Sequence, residues 1–253
     1  MNLWIQHLRE EWRLATSHDE DELPVAVQVP VECSDLMALD SVLRFALSSV
    51  DDRLRITPIL ADRHVVSQPQ HPFYIPARTE STVYVTSPMW IRIEVGETPV
   101  LLTEIPIFRP SDTWFGPTPS RGELCYASRT FCRLRLEDVA VRPHRAHTAV
   151  TVRNKSAAPF LLERMKLPVV YLPLFCARDG VFWTRDVKFD YREGEEFAPL
   201  RYGGTTPARA ADAELICGPR QEADVGLAVQ VFTSLFSGWP PRSANPNSKK
   251  GQT

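Results

Sequence analysis

Between residues 54 and 236, apolar side chains recur in short runs that alternate with polar ones, and proline or glycine punctuates the runs. A period of two puts successive side chains on opposite faces, so the pattern predicts β-strands with one buried face. Strands are predicted at residues 54–59, at 81–86 and 89–95 joined through Ser87-Pro88, and at 100–108, where Pro106 marks an edge or a bulge. Further strands are predicted at 123–136 and 148–154. The sharpest local signal is a hairpin, residues 167–176 and 181–191, closed by Ala177-Arg178-Asp179-Gly180, because Asp-Gly supplies the left-handed turn geometry. Residues 198–213 read as a loop, and 225–236 as the last strand.

The beginning of the chain is less uniform. Trp4, Leu8 and Trp12 recur at helical spacing, so residues 1–15 read as a short amphipathic helix or a leading strand. Val25, Val27, Val29 and Val31 alternate as a strand. Residues 34–48 fit a helix or a strand, with the β-rich neighbours favouring the strand. Long helical patterns between the strands are missing, which argues against a parallel α/β sheet. The fold expected is all-β, an antiparallel β-sandwich, as one large or two small packed sandwiches with few or no helices. The domain would span residues 1–239, with a subdivision near 109–122 allowed, and 240–253 would be a disordered tail.

Composition narrows the picture. The 253 residues hold 22 prolines against 11 glycines, as expected of short strands joined by stiff turns. A formal charge of −2 gives no general attraction to nucleic acid or anionic membranes. No transmembrane or secretory segment is read, and the expected location is cytoplasmic. The five cysteines, Cys33, Cys125, Cys132, Cys176 and Cys217, form no C-x-x-C pair and read as reduced, mostly buried thiols. Cys125 and Cys132, seven residues apart on a β segment, would face opposite sides. No dinucleotide, phosphate-loop or serine-nucleophile motif is present, and no catalytic residue or cofactor is assigned.

Three groups of residues remain as site candidates. The corner Trp114-Phe115-Gly116-Pro117, with Arg121 and Glu123, joins stiff aromatics to polar handles, a combination suited to recognition. Tyr126, Arg129, Arg133 and Arg135 add a basic, aromatic face whose guanidinium forks suit anionic partners, with Arg133 and Arg135 on one side of a strand. His144 and His147 are three apart, but no ligand beside them completes a metal set, so the segment reads as a surface turn.

The segments Ile56-Thr57-Pro58-Ile59 to Pro76, Met89-Trp90-Ile91-Arg92-Ile93 and Trp114-Phe115-Gly116 to Cys125-Tyr126 resemble an uncharacterised bacterial and archaeal family, domain of unknown function 432. In that family an aromatic-Gly-Pro stretch leads through a glycine to a basic-aromatic strand. Here Cys125-Tyr126 stands where an arginine is expected, with Arg129 further on. The resemblance implies no established activity. Through members encoded near small mechanosensitive channels, it implies an indirect link to such a channel. The function expected is a non-enzymatic module that recognises a protein or small anionic ligand, not nucleic acid. Two other readings stay open: a metal- or carboxylate-dependent hydrolase with a site assembled from distant strands, and a structural subunit that oligomerises through edge strands.

Overall fold

The computed structural model describes residues 1–17, 42–47, 53–108, 110–195, 197–223 and 228–231. The described residues are all-β, and among them two short 3-10 turns, Leu136–Asp138 and Val169–Tyr171, interrupt the strands. Residues 24–31 and 240–253 lie outside the described residues, as do most of 225–236 and part of 34–48.

The chain opens with a hairpin rather than a helix. Asn2–Leu8 pairs antiparallel with Glu11–Ser17, which also pairs with Val42–Ala46. On one face Trp12 and Leu14 are buried against Ile93, Val95, Leu102 and Ile105. Period-two burial therefore overrides the helical spacing of Trp4, Leu8 and Trp12.

One strand organises much of the rest. Glu80–Val95 is continuous through Ser87-Pro88, where the pattern predicted a join between two strands. Its residues 80–88 pair with 145–153, and residues 89–95 pair with Leu54–Leu60 on one side. Val100–Pro106 pairs with the same second half on the other side. Pro88, which has no N–H to give, sits at the handover between partners, where a missing donor costs least.

Arg145–Asn154 is central: Glu80–Val95 flanks it antiparallel, and Phe182–Thr184 and Val187–Tyr191 flank it parallel. The sheet is thus mixed rather than purely antiparallel, and the parallel neighbours arrive without a helical crossover. The predicted hairpin is present but shorter. Leu174–Cys176 pairs with Phe182–Thr184 around Gly180 at φ 81°, while residues 187–191 leave to join the central strand. The predicted loop at 198–213 begins with the ends of two short strands, Phe197–Pro199 and Arg201–Tyr202.

A second sheet has the order Met165–Leu167, Val65–Ser67, Arg121–Ala127, Asp112–Thr118. The main core joins it to the large sheet: Val65, Met165 and Leu167 meet Val83, Val85, Met89, Val150 and Phe189, all essentially buried. At the end of the central strand, Asn154 ties two segments together, residues 75–76 and 156–158. Its amide donates to the carbonyls of Ile75, Pro76 and Ala158 at 3.0, 3.2 and 2.8 Å, and its oxygen accepts from the Ser156 amide and hydroxyl. Cys125 and Cys132 are free and buried in different clusters, and Cys176 and Cys217 are free and half-buried. Among the described residues no helix is long and apolar enough to cross a membrane.

Candidate functional site

The aromatic corner is the tip of a hairpin, Asp112–Thr118 with Arg121–Ala127. Its two glycines interlock: a Cβ on Gly116 would stand 2.1 Å from the Arg121 carbonyl oxygen, and one on Gly122 would stand 2.6 Å from that of Phe115. Trp114 is half-exposed and its indole N–H donates to the Thr118 carbonyl at 3.0 Å, which closes the tip on itself. Phe115 points the other way and is fully buried. Arg121 stays at the exposed tip, and the Tyr126 hydroxyl donates to Asp62 at 3.0 Å.

Below Phe115 lies a group that the sequence did not bring together. Lys166, only 3 % exposed, donates to the Glu123 carboxylate, and its ammonium sits 5.6 Å from the centre of the Phe115 ring. His64 Nε2 is 3.7 Å from the other Glu123 oxygen. Burial pulls the His64 pKa down to about 4; the Lys166 charge adds to the fall and Glu123 opposes it. Cys125 lies beside them, its thiol pushed up to about 12 by burial with Glu123 adding, so it stays protonated and is a poor nucleophile.

His64 makes a pH prediction. Its folded pKa lies below its ordinary value of 6.5, so between the two the unfolded chain binds more protons than the folded one. The stabilisation is complete above about pH 6.5 and is lost as pH falls towards 4, at a total cost of roughly 3–4 kcal/mol. Urea unfolding at several pH values should show this slope in the native protein and a flatter one in His64→Gln.

The three arginines that follow do not share a strand face. The strand ends at Ala127, so the prediction of a strand over 123–136 is corrected: Arg129 takes a left-handed φ of 58° and Arg133 forms only an isolated bridge to Tyr84. Each side chain has its own partner. Arg129 donates to Ser111 at 2.7 Å and lies over Phe108, Arg133 donates to Gln70 at 3.0 Å, and Arg135 pairs with Glu137 at 3.5 Å.

The reading of His144 to His147 as a surface turn holds for Pro143-His144 and is corrected at His147. His144 is half-buried before the strand, whereas His147 is in the central strand and 1 % exposed. A strand enclosed on both sides and both faces shows no apolar-polar alternation. The uninterrupted run Ala146-His147-Thr148-Ala149-Val150-Thr151-Val152 was the signal available.

His147 lines a cavity of about 380 Å³. Trp183, opposite it on the neighbouring strand, shares the floor, with ring centres 5.1 Å apart. The Asp-Gly hairpin contributes Ala177, Arg178, Asp179 and Val181; the segment after the first 3-10 turn contributes Val139 and Val141; and Arg209, Ala210 and Asp212 close the side. Neither His147 ring nitrogen has a hydrogen-bond partner. Burial, with the Arg145 charge adding, holds its pKa below the ordinary value, and Asp179 opposes this weakly. The ring is therefore neutral at pH 7, with one donor and one acceptor.

A family of known extent matches this chain: the one described as Protein of unknown function (DUF432) covers residues 1–236. The chain belongs to that family. No curated protein and no solved structure matches it. In this DUF432 chain the cavity draws its walls from residues within 136–141, 147, 177–183 and 209–212, all of them beyond the aromatic-Gly-Pro stretch that carried the resemblance. Among the described residues, no group of three or more His, Cys, Asp or Glu side chains is placed to hold a metal.

Proposed function

We propose that this chain is a recognition module whose small-molecule ligand occupies the cavity over His147 and Trp183. The observation that carries the reading is His147: its imidazole borders the cavity, both ring nitrogens are unpartnered and almost without exposed surface, and a small turn of the ring would bring one of them to a ligand. A buried polar group without a partner costs about 1–3 kcal/mol, and a ligand that supplies one recovers that cost on binding. The volume is at the small end of the roughly 300–1,000 Å³ typical of ligand sites, and apolar side chains share the lining with four charged ones, Arg178, Asp179, Arg209 and Asp212. A neutral donor and acceptor beside an indole suits selection of a ligand by shape and hydrogen bonding.

The test uses the full chain with ¹³C-labelled histidine rings. Addition of a mixture of small aromatic acids, alcohols and amines should shift the His147 resonance and leave His7 in place. Ala210→Phe, which fills the cavity from its side, should abolish the shift while circular dichroism stays unchanged. A His147 resonance that no compound moves would remove the reading.

A further inference from the structure

We infer that the ligand of this cavity is a small carboxylate with an aryl-sized apolar body and a neutral hydrogen-bonding group at its far end. The inference deepens the recognition reading above and rests on it.

It follows from which polar groups of the lining are already engaged. Arg178 pairs with Asp212 at 3.4 Å. Asp179 accepts the Val181 amide N–H at 3.0 Å, which fixes the turn. Besides the Trp183 indole N–H, two groups are left. One is Arg209, exposed at the side of the cavity, which has no carboxylate within ion-pair distance among the described residues although its charge reaches Glu137 and Asp186, and whose guanidinium lies 5.9 Å from the centre of the Tyr84 ring. The other is the His147 imidazole.

These two ask for different partners. A guanidinium presents a planar fork that matches a carboxylate with two parallel hydrogen bonds. At an exposed position, the carboxylate keeps part of its hydration, so the cost of removing it from water stays small. At His147 the environment is dry, and Arg145, two residues earlier on the same strand face, makes it unfavourable to a cation. A charged group of either sign would be strongly desolvated there. A hydroxyl fits because it can donate or accept and so serves either imidazole tautomer. Between the two ends, Val181, Val139, Ala177 and Ala210 offer apolar wall without a side-chain donor or acceptor, and Trp183 adds its ring face and one indole N–H donor.

Four probes separate the elements of this inference: 4-hydroxyphenylacetate, phenylacetate, 4-methylphenol and tyramine, titrated into the labelled full chain with affinity read from the His147 resonance and by calorimetry. 4-Hydroxyphenylacetate should bind roughly tenfold more tightly than phenylacetate, which lacks the hydroxyl, and roughly tenfold more tightly than 4-methylphenol, which lacks the carboxylate. Arg209→Gln, an exposed change, should remove the preference over 4-methylphenol and keep the preference over phenylacetate. His147→Phe should do the reverse. Equal or tighter binding of 4-methylphenol or tyramine overturns the carboxylate inference and leaves the cavity as a ligand site. The same holds if none of the four binds but other small molecules move His147. If nothing moves His147, both fall.

Discussion

Glu123→Gln is expected to destabilise the protein by about 3 kcal/mol, lowering its melting temperature by roughly 6–12 °C. The cause is Lys166. Its ammonium is almost fully buried, and the Glu123 carboxylate is its ion-pair partner, itself 41 % exposed. Glutamine keeps the shape and removes the charge, so the lysine is left buried and uncompensated. The reverse substitution is not symmetrical. Lys166→Met removes the buried charge, retains much of the stem against Phe115, and leaves Glu123 able to reach water; its cost should stay within about 1 kcal/mol. The double variant should recover most of what Glu123→Gln loses. Urea denaturation of the four proteins completes the cycle, and a Glu123→Gln value within error of the native protein would show that the buried ammonium finds compensation elsewhere.

Gly116→Ala is expected to cost about 2–4 kcal/mol. The new methyl group would meet the Arg121 carbonyl oxygen at 2.1 Å and the Gly122 Cα at 2.4 Å, both backbone atoms that no rotamer change can move. Relief requires the two strands to part at the tip, which loosens Phe115 in its buried seat next door. Gly180→Ala provides the contrast. Gly180 has a φ of 81° and nothing within 4 Å of its would-be Cβ, so it should show only the backbone strain of a left-handed residue, about 1–2 kcal/mol. Thermal and urea unfolding of the two variants should rank them in that order. A milder Gly116→Ala would mean that the tip opens without disturbing Phe115.

The all-β class was legible because some strands keep a solvated face and so alternate, as at Val187-Lys188-Phe189, which are buried, exposed and buried in turn. The Asp179-Gly180 turn was legible because its chemistry is local. What escaped was set by distant partners. Residues 145–154 are enclosed on both faces, so the rhythm disappears at the strand that carries His147. The ion pair between Glu123 and Lys166 spans 43 positions and depends on Met165–Leu167 and Arg121–Ala127 both pairing with Val65–Ser67. Nothing within either segment announces the other. The aromatic corner was found, yet its polar atoms are largely engaged in closing their own hairpin. The cavity needs four separate segments, of which the sequence singled out only the hairpin and the histidine pair.

The parallel pairing of the central strand has a consequence for biosynthesis. When Asn154 is made, Glu80–Val95 already exists to pair with one side of Arg145–Asn154, but the strands for its other side come later, the last ending at Tyr191. At ribosomal speeds of about 5–20 residues per second, those roughly 37 residues take two to seven seconds. Throughout that interval the nascent chain carries an open, apolar strand edge of the kind that other nascent chains can pair with.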